Sequence, residues 1–224
     1  MSEREDSGEG LRERKRRRTV RHIADTATRL FVERGFDRVT IAEVADAAEV
    51  SVNTVYNHFR SKEDLVLPPE EASPRRLAAI VRERPVGCSA AAAVLDRLRA
   101  EVRGRERAVG LTEGFAPVLR MMTAAPTLAA RLHDLGDLMV AELAADLAAE
   151  TGAAPDDPLP RLVAGQIGWV HALVFGEIGA RVAAGERPRD VAAAVLALID
   201  AAESVLSERV LGYAVRNDQK RGPA

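Results

Sequence analysis

The sequence predicts an all-α fold, and three observations carry the prediction. Apolar residues return at i, i+3 and i+4 in each periodic stretch, no sustained alternation of Val, Ile and Thr marks a half-buried strand, and clusters of Pro and Gly punctuate the joins. With 224 residues, 47% hydrophobic and 29% charged, the chain can bury a core and divide into two domains. Cys88 is the only cysteine, so no disulfide can form within the chain and nothing points to an oxidising compartment. Residues 1–10 are acidic and lack an apolar run, which excludes a conventional secretory signal. The most apolar later stretch, 167–182, contains His171, Glu177 and Arg181 and reads as too short and too charged to span a bilayer. A cytoplasmic location and no membrane partner are therefore expected.

Taken in order, residues 1–18 read as a flexible charged arm, because basic residues crowded at a helix N-terminus oppose its dipole. From Thr19 the pattern Val20, Ile23, Ala24, Ala27, Leu30 and Phe31 predicts a first helix, with Gly35 as its terminator. Thr40 followed by Glu43 makes a capping box, and Ile41, Val44 and Ala45 start an apolar stripe behind it. Ser51 is a second N-cap; Val52, Val55 and Phe59 hold one face of the helix it opens, leaving Asn53, Thr54, Tyr56, Asn57 and His58 pointing away. Ser61 caps a fourth helix that Pro68, Pro69 and Pro74 interrupt, so the first domain spans 19–67 and the junction 68–75. Helices are then expected over 75–84, 89–104, 111–124, 126–151, 159–185 and 188–213, making a second domain over 75–213 and a polar tail over 214–224. Pro117 should kink the third of these helices. The last two are apolar on more than one face and should be buried between partners.

Two short helices joined by a tight turn form a helix-turn-helix, whose second helix fits the major groove of double-stranded DNA. Asn53 and Asn57, one turn apart, can each pair bidentately with adenine, the methyls of Val52 and Thr54 can meet thymine, and Tyr56 and Lys62 can bind phosphate. The formal net charge of −2 rules out blanket adhesion to nucleic acid, so the affinity must be local. Residues 11–66 hold 12 Lys and Arg against 9 Asp and Glu, whereas 67–224 hold 19 against 21. The run Arg12, Arg14, Lys15, Arg16, Arg17, Arg18 and Arg21 could enter the minor groove as an arm or stay solvated as a tail.

Over about 20–65 the sequence resembles the tetracycline-repressor-like (TetR) family of bacterial regulators. The resemblance lies in a helix ending Leu30-Phe31 and Gly35, then Thr40-Ile-Ala-Glu-Val-Ala, Val50-Ser51, Thr54-Val-Tyr-Asn-His-Phe59 and Lys62-Glu63. It implies that Tyr56, His58 and Lys62 contact the DNA backbone and that Val52, Asn53, Thr54 and Asn57 face base edges, with Thr40 and Ser51 at the helix starts also counted among the DNA-binding residues. It also implies a C-terminal helical domain that dimerises and binds a small-molecule effector. Glu49 stands where this turn commonly carries glycine, so it must adopt a left-handed conformation at a strain of roughly 1 kcal/mol.

Candidates for contact with an effector are the bulky or adaptable residues Phe115, Met121, Met122, Trp169, His171 and Phe175, with Gln166 and Glu177 as polar groups nearby; ordinary core packing is the competing reading of each. Val174 and Leu198 are expected at the centre of a dimer seam built from the last two helices. Enzymatic chemistry finds no phosphate-binding glycine loop, nucleophile elbow or paired-cysteine motif, and His133 with Asp137 is only half a metal site. No enzyme, cofactor or metal is expected. The expectation is a sequence-specific transcriptional regulator, a homodimer held on a palindromic operator until an effector releases it. An architectural DNA binder without effector, and a helical enzyme or carrier with a vestigial DNA module, are the alternatives.

Overall fold

The computed structural model describes residues 6–67, 72–106, 109–112 and 114–218, and among them every regular element is helical. The chain divides into two compact units. The first contains α1 (Asp6–Arg34), α2 (Ile41–Ala47), α3 (Val52–His58) and a 3-10 turn (Glu63–Leu65), and residues 121–129, expected within the C-terminal region, group with it. Its core is the stripe read from the sequence: Ile23, Ala27 and Phe31 of α1 are fully buried, as are Val39, Val44, Val55 and Leu65. Gly35, at φ 89°, ends α1 by turning its N–H onto the Phe31 carbonyl at 2.9 Å.

Two expectations fail in this unit. The stretch read as an arm is helical from Asp6 onward, while residues 1–5 lie outside the described residues. Starting there moves the basic run away from the positive end of the helix dipole. Glu13 reinforces the helix by pairing with Arg16 at 3.2 Å and Arg17 at 3.7 Å. At the other end, Ser61 does cap a turn, its Oγ accepting from the Asp64 N–H at 3.2 Å, but the turn is a single 3-10 turn rather than a fourth helix. Pro68 and Pro69 lie outside the described residues.

The second unit carries α4 (Arg76–Glu83), α5 (Ala90–Gly104), the first half of α6 (Ala116–Ala124), most of α7 (Pro126–Thr151), α8 (Leu159–Ala183), α9 (Pro188–Val205) and α10 (Glu208–Leu211). Leu98, Leu143, Leu147, Val163, Val174, Val195 and Ile199 fill its core, with α8 and α5 both packed on α9. Val174, expected at an outer seam, is therefore an interior residue: on α8 it shares the buried face of Val163, Ile167, Val170 and Ile178. Pro117 does not kink a helix, because α6 starts at Ala116 and the proline occupies its first turn, where no intrahelical acceptor is needed. The helix expected to run to 213 breaks after Val205, where Leu206 is extended at ψ 136° and stays buried. With 25 residues α8 is, contrary to the sequence reading, long and apolar enough to cross a membrane; it instead buries one face in this helical core.

Two contacts fix the unit's geometry. A Cβ at Gly168 of α8 would sit 2.2 Å from Cγ2 of Val140 on α7, so these helices approach more closely than any side chain but hydrogen permits. The Arg84 side chain is almost wholly buried after α4, where it donates to the carbonyls of Val81, Cys88 (3.1 Å) and Ala214 (2.7 Å) and pairs with Glu150. Arg216, expected in a frayed tail, is bound to the same loop: Gly87 donates to its carbonyl at 2.8 Å and its own N–H donates to Cys88 at 2.9 Å. Residues 219–224 of the tail lie outside the described residues.

Candidate nucleic-acid interface

The α2–α3 pair is built by local hydrogen bonds. The Thr40 hydroxyl accepts from the Glu43 N–H at 3.2 Å while the Glu43 carboxylate accepts from the Thr40 N–H at 2.8 Å, closing the capping box. Those bonds, with Arg34 at 2.5 Å, hold the Glu43 carboxyl down to about 2. The Ser51 Oγ caps α3 by accepting from the Thr54 N–H at 3.0 Å, and the two hydroxyls of Ser51 and Thr54 also meet at 2.8 Å. Between the helices Glu49 is left-handed, at φ 53°, as its place in the turn demands. Its N–H donates to Asp46 at 3.0 Å and the Val50 N–H donates to Ala45 at 2.9 Å, so α2 ends in a Schellman motif with glutamate in the glycine position.

This frame decides what α3 offers. Val55 and Phe59 are buried, whereas Asn53, Tyr56 and Asn57 are exposed and Thr54 and His58 are half-buried. Val52, read as part of the buried face, is 39% exposed, because it opens the helix before the first turn reaches the core. The open side of α3 is thus a valine, two asparagines and a tyrosine, which is a set that can meet methyls, base edges and phosphate oxygens. Lys62 follows on the 3-10 turn with its ammonium 4.5 Å from the Phe36 ring centre and 5.6 Å from that of Phe31, two rings packed edge to face at 5.0 Å. The rings hold the charge in place next to α3, a contact with no periodic signature in the sequence. Asp64, equally missed, is buried and accepts from the Arg60 N–H at 3.1 Å, fixing the exit from α3.

Residues 23–67 match the family model described as bacterial regulatory proteins, tetR family. The HTH-type transcriptional regulator TcmR of Streptomyces glaucescens is 32% identical over 166 residues, covering 70% of this chain and 71% of that protein. The chain belongs to the TetR family. It is a DNA-binding transcriptional regulator rather than an enzyme. Two solved repressor structures share its fold: NalD of Pseudomonas aeruginosa, the secondary repressor of the MexAB-OprM multidrug efflux pump (TM-score 0.53, 18% identical, 84% of this chain and 97% of that one), and SmeT, the repressor of the Stenotrophomonas maltophilia multidrug efflux pump SmeDEF (TM-score 0.51, 16% identical, 89% and 96%).

The six residues expected to meet an effector in this TetR-family chain are divided between the two units. Met121 and Met122 are buried and group with the first unit, while Phe115, Trp169, His171 and Phe175 are in the second. Phe115 lies against Gly110, within 3.2 Å of where a Cβ would stand. Trp169 is 48% exposed on α8 and faces outward. His171 and Phe175 do come together, their rings stacked at 4.5 Å. Sequence reasoning missed the groups beside them. Arg76 of α4 stands 6.0 Å from the Phe175 ring centre and pairs with Glu101 of α5 at 2.6 Å; Glu101 is fully buried and also takes Arg97 at 2.7 Å. The Arg76 Nε and the His171 Nε2 are buried without a hydrogen-bond partner. Burial, with the Arg76 charge nearby, pulls the imidazole down to about 4, so it is neutral at physiological pH.

Proposed function

We propose that the protein is a cytoplasmic homodimeric repressor that holds a palindromic operator and lets go when a small molecule binds its second unit. The observation that carries the dimer is an apolar stripe left on the outer side of α8 and α9. On α8 it comprises Leu162 (55% exposed), Trp169, Ala172, Gly176 and Ala180; on α9 it comprises Ala194, Ala197, Leu198, Ala201 and Val205 (70% exposed). Each stripe keeps helical spacing, and its small residues allow close approach, so two copies can bury it as a four-helix bundle. A single α3 makes too few base contacts for specificity, and a dimer sets two of them about one helical turn of DNA apart, roughly 34–36 Å. Light scattering at micromolar concentration should return a dimer for the wild type and a monomer without operator affinity for Leu198→Asp. A monomeric wild type would refute the assembly.

The effector reading rests on the unpartnered Arg76 Nε and His171 Nε2 beside the His171–Phe175 stack. A donor from a charged guanidinium, a neutral imidazole and an aromatic face suit a flat ring bearing an acidic or phenolic oxygen. Ligand that copurifies with the protein, identified by native mass spectrometry, should dissociate from His171→Phe while that variant keeps its operator affinity. Linkage requires operator DNA to weaken ligand binding by the same factor that ligand weakens operator binding.

A further inference from the structure

We propose that the N-terminal half of α1 is a second DNA-binding element, a helix that grips phosphates flanking the site read by α3; the proposal rests on the DNA-binding function of the family. From residue 10 to residue 22 no side chain is buried, and the next residue, Ile23, is fully buried. More than three turns, about 20 Å of helix, therefore run without a buried side chain, only Glu13, Thr19 and Val20 being half-buried. This segment is also where the chain concentrates its positive charge. Between residues 11 and 22 lie Arg12, Arg14, Lys15, Arg16, Arg17, Arg18 and Arg21, opposed only by Glu13, in a chain whose net charge is −2.

The helix sorts these charges. Arg14, Arg17, Arg18 and Arg21, at helical spacing, line one side of a shallow cleft along α1 together with His22 and Asp25. Arg16 and Arg17 are drawn to Glu13, and the Arg14 Nε donates to the Gly10 carbonyl at 3.1 Å. Arg18 and Arg21 have no carboxylate partner among the described residues. Like charges at i+3 and i+4 repel, and a helix of this length without tertiary support is marginal in water. A row of phosphates removes the repulsion and orders the helix at the same time. The geometry also selects the mode of contact. With side chains an α-helix is about 10–12 Å across and the minor groove only about 6 Å wide, so the segment cannot enter that groove as an extended arm would. It lies along the sugar-phosphate backbone instead.

The test uses full-length protein and the duplex it selects from a random-sequence library, made with 15-bp flanks and again with the flanks trimmed away. Binding is titrated between about 50 and 200 mM KCl, where each phosphate contact contributes about 0.9 to the slope of log affinity against log salt. Arg18→Ala with Arg21→Ala should lower the slope on the flanked duplex by nearly two per protomer and weaken binding at least tenfold, while circular dichroism shows the fold intact. On the trimmed duplex the variant and the wild type should bind alike. Arg18→Lys with Arg21→Lys should keep the wild-type slope, since a phosphate accepts either cation whereas guanine prefers the arginine fork. An unchanged slope in the alanine variant, an equal loss on trimmed DNA, or a loss that follows the base sequence of the flanks would each overturn the proposal. A wild type that selects no sequence at all would instead count against the operator-binding function itself.

Discussion

Replacing Gly168 by alanine should reverse the usual sign of that substitution. In a helix interior alanine is favoured over glycine by about 1 kcal/mol. At Gly168 the new methyl would lie 2.2 Å from Cγ2 of Val140, far inside the roughly 3.5–4.0 Å at which carbon atoms attract. Valine cannot swing aside cheaply, because its branched Cβ leaves one strongly preferred rotamer in a helix and an off-rotamer position costs about 0.5–1.5 kcal/mol. The alternative is to part α7 from α8, and overpacking of this kind costs typically 1–3 kcal/mol. Set against the roughly 1 kcal/mol that alanine gains, the net expectation is a loss of up to about 2 kcal/mol, read as a lower urea midpoint at unchanged slope and fixed protein concentration. Gly136 of α7 supplies the control: a Cβ there meets nothing within 4 Å, so Gly136→Ala should gain up to about 1 kcal/mol. Adding Val140→Ala to Gly168→Ala should restore much of the loss, a coupling only neighbours show. A Gly168→Ala protein stabilised by about 1 kcal/mol, as at an open helical position, would refute the close approach, and with it the register that places His171 one turn further along α8.

Glu49→Gly should raise stability by up to about 1 kcal/mol without changing operator affinity, because it relieves the left-handed strain at φ 53° and removes no contact to α3; a lower melting temperature would refute this. Since His171 titrates at about 4 in the fold against 6.5 ordinarily, the unfolded chain binds the proton first as pH falls, so stability is full above about 6.5 and declines toward 4 by at most about 3 kcal/mol. Urea titrations across that window should show the decline in wild type and its absence in His171→Phe, and a flat wild-type profile would contradict the burial of the ring. Asn57→Ala should cost about 1–3 kcal/mol on the cognate operator alone, and Lys62→Ala should weaken all duplexes alike. Uniform losses for Asn57 would remove it from base readout.

What the sequence revealed and what it hid follow from the range of the interactions involved. The caps at Thr40 and Ser51 were readable because their bonds span three residues, and the buried stripe of α1 because its period is local. The start of α1 is hidden because the dipole penalty of the basic run applies only if the run opens the helix, and the helix opens earlier, at Asp6. Val174 and Trp169 exchanged places, the first interior and the second outward, since α8 is apolar all round and its period does not say which face meets the core. The Arg76, Glu101 and His171 cluster was invisible for another reason. Its members come from three helices, and a charge on one helix gives no local sign that it will be buried against another.

The bonds of Arg84 and Arg216 tie residues 213–216 to the α4–α5 loop of the second unit. An arginine buried after α4 is satisfied by Ala214, 130 residues later, so the guanidinium has its full set of acceptors only once the C-terminal segment has come back to the α4–α5 loop. Synthesis runs from the N-terminus, and the first unit's helices α1–α3 need none of those residues. On the ribosome, then, the DNA-reading helices can form while Arg84 still lacks its Ala214 acceptor, and the closing of the second unit waits until residues 213–216 have been made. Premature termination before Tyr213 would leave Arg84 with the Val81 and Cys88 carbonyls and Glu150 but without its Ala214 acceptor, and would strip the α4–α5 loop of its bonds to Arg216.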